Sequence, residues 1–224
     1  MINDLKLGMK MLRYTYNLKM TIVSGMLFLV GGIFLTVVEM NSDSGLLGGW
    51  FFMCIGLLPT QLLYSLNVSG IVQVSSAKKR MQTSVPALIT FVNMVALYLL
   101  ELIIQGILVW GGGKRAELAA YEMLTLALMA AMIMMYMGVS YKYFVVSTIV
   151  FVPCIIFLFS GLMTSGARYD WNVLRGTGIP FILVVPAGLV VLALGGLGQY
   201  LLSLLFYRAP LSKMAQAAPL RKEL

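Results

Sequence analysis

Histidine is absent from this 224-residue chain, and acidic residues number only eight. Without histidine there can be no Ser-His or Cys-His nucleophile pair and no HExxH zinc site. No GxxxxGK[ST] loop is present either, so nucleotide binding of the P-loop kind is excluded. The two cysteines, Cys54 and Cys154, both fall within apolar runs. They supply neither a disulfide framework nor zinc-ligand spacing, and read as small hydrophobes. Charged residues are 11% of the chain, where a soluble domain carries about 25%.

Apolar side chains fill the space: 60% of the residues are hydrophobic and the mean hydropathy is +0.93. Six apolar runs are predicted to be membrane-spanning helices, over Met20–Val38, Leu46–Val72, Val85–Trp110, Leu118–Val139, Tyr143–Met163 and Gly178–Tyr207. Each reaches the roughly 20 residues that a bilayer core requires. The expected fold class is therefore all-α: a six-span polytopic membrane protein occupying residues 20–207, followed by a basic tail over 208–224. Pro59, Pro153, Pro180 and Pro186 are expected to break or kink the spans that hold them. The N-terminus does not read as a cleavable signal, because a mixed polar segment precedes the first apolar run and no small-residue cleavage site follows it.

The 16 cations give an orientation. Twelve fall on one side: Lys6, Lys10, Arg13, Lys19, Lys78, Lys79, Arg80, Lys142, Arg208, Lys213, Arg221 and Lys222. Four fall on the other: Lys114, Arg115, Arg168 and Arg175. Lysine and arginine in short loops favour the cytoplasmic face, so both termini are expected inside an inner or plasma membrane. Glu39, Asp43, Glu117, Glu122 and Asp170 are assigned to the outer side. The net charge of +8 thus reflects topology and carries no nucleic-acid footprint.

Residues 1–19 read as an amphipathic helix lying in the interface, with Lys6, Lys10 and Arg13 on its polar face and Leu5, Met9, Leu12 and Tyr16 on its apolar one. In the third span, Glu101 is followed one turn later by Gln105 and preceded two turns earlier by Asn93. An ionisable group at that depth costs a few kcal/mol, and either lines a cavity or pathway or finds a polar partner on a neighbouring helix. The loop GGGKRAE (111–117) reads as a flexible connection. The segment TSGARYDWNVLRGTGIP (164–180) reads as a headgroup belt or a re-entrant element. Met129, Met132, Met134, Met135 and Met137 cluster in the fourth span, either as adaptable packing or as a surface for an apolar substrate.

The first inner loop (73–84) carries SSAKKRMQTS. A basic amphipathic helix, six spans with both ends inside, and this loop occur together in one order. In that layout the chain resembles the permease subunit of ABC-2-type exporters. The resemblance implies a short coupling helix between the second and third spans, beginning near Ser75 or Ser76 with their hydroxyls as caps. Lys78, Lys79, Arg80 and Gln82 would contact a separate ATPase subunit, with Val74 and Met81 as apolar anchors. ATP and Mg would be bound by that partner, and no cofactor or metal by this chain, which would not itself be an enzyme. A second permease copy or paralogue would complete the path for a peptide, lipid or drug. Alternative readings are an integral capture subunit of a vitamin importer and a membrane scaffold or immunity protein. Three adjacent cations are equally well explained by positive-inside anchoring.

Overall fold

The computed structural model describes residues 2–15, 18–39, 47–67, 72, 74–111, 116–163 and 180–210; the side chains of Ile2, Asn67 and 158–163 are not described. Among the described residues the fold is all-α, without strands. Eight helices follow in chain order: α1 (Ile2–Leu12), α2 (Leu18–Val38), α3 (Leu47–Asn67), α4 (Lys78–Gln82), α5 (Ser84–Trp110), α6 (Ala116–Ser140), α7 (Phe144–Met163) and α8 (Phe181–Leu205). Five stretches are long and apolar enough to cross a bilayer: α2, α3, α4–α5 taken together as Lys78–Trp110, α6 and α8. The fifth expected span, Tyr143–Met163, corresponds to α7, a 20-residue helix whose apolar stretch with described side chains, Phe144–Phe157, is shorter than a span. The chain is an all-α membrane protein.

Helix α6 forms the axis of the bundle. It packs most extensively on α8, and also meets α3, α5 and α7. In its spanning stretch 72% of the residues are buried, against 11% in α2, which packs chiefly on α3 at one edge. The contact between α6 and α8 depends on small residues. A side chain at Gly138 would lie 2.8 Å from the backbone oxygen of Gln199, and one at Gly195 would lie 2.6 Å from the Cα of Ala131. Close backbone approach of this kind is how membrane helices gain packing energy when lipid offers no hydrophobic driving force. Met129, Met134 and Met137 are buried in this core, so these three methionines serve as packing and form no substrate-facing surface.

Three of the four prolines lie inside helices as expected: Pro59 in α3, Pro153 in α7 and Pro186 in α8. Pro180 differs. It occupies the N-cap of α8 with an extended backbone, so it starts the last span where a break within it was expected. Its fixed φ and missing N–H suit a helix start. At the end of the bundle opposite α1, Glu39 accepts hydrogen bonds from the backbone N–H groups of Leu47 (3.1 Å) and Gly48 (3.3 Å). A carboxylate there satisfies orphan donors of the first turn of α3 and complements its dipole.

Candidate functional site

A buried polar cluster lies between α5 and α6. Glu101 is fully buried, Gln105 is one turn further along α5, and Glu122 projects from the second turn of α6. The Gln105 amide nitrogen donates to Glu101 Oε1 at 2.9 Å and to Glu122 Oε2 at 3.3 Å. Glu101 and Gln105 share a face because they are four residues apart. Glu122 joins them from the facing helix α6, within the stretch that the expected fourth span, Leu118–Val139, already covered. This corrects the assignment of Glu122 to the outer side, because its side chain is buried inside the bundle. A second carboxyl group is buried beside the first, and the cluster offers oxygens that can hold a proton or a cation. A signal was available: Glu122 follows Ala119 and Ala120 on a run without glycine or proline, which favours helix.

Asn93 does not belong to this cluster. Its side-chain nitrogen is 3.4 Å from the backbone oxygens of both Ile55 and Gly56 on α3. Pro59 has no N–H to donate to Ile55, four residues earlier, and Asn93 supplies a donor in its place. Its role is to let α3 carry a proline.

A second buried polar group joins α3, α5 and α8. Thr60 and Thr90 hydroxyls are hydrogen-bonded, Thr90 donates to the Pro86 carbonyl at 2.7 Å, and Gln199 donates to Thr90 Oγ1 at 3.2 Å. Tyr64 donates to the Met137 carbonyl at 2.7 Å, and Tyr98 to the Val184 carbonyl at 3.1 Å. None of these residues was singled out in the sequence, because isolated threonine and tyrosine in an apolar run carry no distinguishing pattern.

The basic end of the bundle differs from expectation in detail. Helix α1 ends at Leu12, where Thr15 donates to the Leu12 carbonyl at 2.7 Å; Tyr16 and Asn17 lie outside the described residues. Lys6, Lys10 and Arg13 are exposed as expected. The buried face, however, centres on Gly8. Leu5, Leu7, Met11 and Leu12 pack on Leu63, Val85 and Ile89, while Met9 is exposed. Helix α1 therefore rests on α3 and α5 through Leu5 and Leu12 of the expected stripe, while Met9 of that stripe points away from the bundle. Glycine was overlooked because it contributes nothing to an apolar stripe, yet its missing side chain admits Ile89, which a Cβ would approach to 2.9 Å.

The short helix between α3 and α5 exists, but begins at Lys78 after Ala77, with no side-chain cap. Ser75 instead accepts a hydrogen bond from the Ala77 N–H (3.1 Å), closing a local turn, and Ser76 is exposed. Met81 and Gln82 are buried, so neither is available to a partner, whereas Val74 is 87% exposed. The three cations diverge. Arg80 pairs with Asp4 of α1, its Nε donating at 3.0 Å. Lys79 is exposed and lines a groove beside α8. Lys78 lies near Lys142, whose ammonium donates to the Ala209 carbonyl at 2.9 Å and to Gln82 Oε1 at 3.5 Å. Burial, aided by repulsion from Lys78, pulls the Lys142 ammonium down to about 8. Beside it, burial raises the Tyr141 hydroxyl, whose ring stacks on Tyr64 at 4.7 Å.

Of the two cysteines, Cys54 is half-buried and Cys154 is exposed on α7, so the second is not the buried hydrophobe expected. The segment 112–115, the belt segment 164–179 and the tail 211–224 lie outside the described residues. No family model, curated protein or solved structure matches the chain, which leaves its own residues as the basis for assigning a role.

Proposed function

We propose that this protein is the permease subunit of an ATP-driven ABC-2-type exporter, moving a hydrophobic or amphipathic substrate with ATP and Mg bound on a separate ATPase chain. The observation that carries the reading is the loop between α3 and α5. There a short helix, steadied on α1 by the Arg80–Asp4 pair, follows a turn that presents Val74 and Ser76 at the basic end of the membrane bundle. An exposed apolar residue flanked by polar and cationic ones is a suitable anchor and rim for a protein partner. In this reading the basic end faces the cytoplasm, both termini lie there, and a second permease copy or paralogue completes the path. Glu101, Gln105 and Glu122 form the polar group within the membrane that responds to substrate or to a coupled proton.

The test is affinity capture from native membranes in mild detergent, followed by mass spectrometry of the recovered proteins. Wild type is expected to recover an ATP-binding subunit, and Val74→Asp with Ser76→Asp to lose it while expression is unchanged. Recovery of intact permease without any ATPase would overturn the exporter reading in favour of a scaffold or immunity protein. A stoichiometric bound vitamin would favour an importer.

A further inference from the structure

At the basic end, α4 and the C-terminal turn of α8 border an open groove of about 640 Å³ lined by Lys79, Leu201, Leu202, Leu204, Leu205, Tyr207 and Arg208. Its walls have two chemistries. Leu201, Leu204 and Leu205 are 59%, 37% and 73% exposed and form an apolar strip along the last two turns of α8. Above them stand the two exposed cations. More positive charge gathers behind: Lys142 is bonded to the carbonyl of Ala209, next to Arg208, and Lys78 lies near enough to repel it. Among the described residues that line the groove none is acidic. Aromatic rings mark the same level, with Tyr207 in the wall and Tyr143 edge-on to Phe206 at 5.2 Å. Tyrosine at that height is typical of the boundary between hydrocarbon and headgroups.

We propose that this groove is a binding site for an anionic phospholipid, its phosphate between Lys79 and Arg208 and its acyl chain along Leu201, Leu204 and Leu205. Cations directly above an exposed apolar strip match a ligand that is anionic at one end and hydrocarbon at the other. A free inorganic anion would leave the leucine strip unused. The site also distinguishes the cations that the sequence presents as one triplet: Lys79 serves lipid, while Arg80 serves α1.

The experiment is native mass spectrometry of the purified chain titrated with phosphatidylglycerol or phosphatidylcholine in mixed micelles. Wild type is expected to retain phosphatidylglycerol in preference to phosphatidylcholine. Lys79→Ala with Arg208→Ala is expected to weaken that retention about thirtyfold, in line with the contribution of two juxtamembrane cations to anionic lipid binding. Lys79→Arg with Arg208→Lys keeps the charge and retains the lipid, and Lys6→Ala with Lys10→Ala removes equal charge from α1 without effect. An equal loss in the α1 variant, or no preference for phosphatidylglycerol in wild type, overturns the site. Displacement of the lipid by millimolar inorganic phosphate identifies a free-anion site and overturns the lipid assignment. Arg208→Ala alone leaves the α3–α5 loop untouched, so loss of lipid with ATPase capture intact separates this site from the proposed docking surface. Loss of both assigns Arg208 to the protein interface and overturns the lipid site.

Discussion

Replacing Gly138 with alanine tests whether backbone contact between α6 and α8 governs stability. The added Cβ would lie 2.8 Å from the Gln199 backbone oxygen and 3.1 Å from its Cα, and neither atom can rotate away. The helices must separate by several tenths of an ångström. Overpacking of this kind costs about 1–3 kcal/mol. Separation also strains the Gln199–Thr90 bond at 3.2 Å, a net contribution of about 1 kcal/mol. Helix propensity acts the other way, since alanine exceeds glycine by about 1 kcal/mol. The net expectation is a loss of about 1–3 kcal/mol. Gly106 in α5 supplies the internal control, because a Cβ there meets nothing within 4 Å. Gly106→Ala gains the propensity without the clash and is expected to match or exceed wild type by up to about 1 kcal/mol. Reversible unfolding in mixed micelles with increasing SDS measures both variants. If Gly138→Ala is as stable as Gly106→Ala, the close approach of α6 and α8 does not hold the bundle together.

Glu101→Gln is expected to preserve expression and folding, since glutamine keeps the shape and can still accept from Gln105, while lowering export; unchanged export would remove Glu101 from the mechanism. The Asp4–Arg80 pair is more than half exposed on the arginine side, so a double-mutant cycle to alanine should give a coupling of about 0.2–1 kcal/mol that falls as salt rises. A larger, salt-independent value would mean that the pair is shielded from solvent. Lys142 sets a pH dependence: its folded value of about 8 lies below the ordinary 10.5, so the unfolded chain holds the proton more tightly. Stability should then rise with pH across that interval, by an amount reduced through the half-exposure of the side chain, and Lys142→Met should flatten the rise. A stability that falls over the same interval in wild type alone would contradict the assigned cause.

The spans were legible because a run of about 20 apolar residues has few alternatives to a membrane helix. The loop that holds α4 was legible from the charge that interrupts two such runs, whereas the helix itself was implied only by the resemblance and starts at Lys78 rather than near Ser75 or Ser76. Side-chain direction was not. Lys78, Lys79 and Arg80 are adjacent in sequence, yet a helix turns each by about 100°, so they reach three different neighbours. Asn93 and Glu101 occupy one side of α5, yet Asn93 answers to Pro59 across the α3 contact while Glu101 is linked through Gln105 to Glu122 across the α6 contact. The face of α1 was misjudged because hydropathy weighs what a side chain adds, and Gly8 acts by what it omits. Gln199 and Thr60 escaped notice because their meaning depends on partners more than 100 and about 30 residues away, respectively.

The meeting of Glu101, Gln105 and Glu122 also bears on the order of synthesis. Helices α5 and α6 are consecutive, so the costliest groups to place in lipid can find each other as a hairpin before any later segment is made. The small-residue face of α6 has no such early partner. It waits for α8, the last helix described, and a chain stopped at residue 180 would keep the Gln105 bonds to both glutamates while exposing Gly138 and Ala131 to lipid. The polar bridge forms early in biogenesis, and the described bundle closes only with α8.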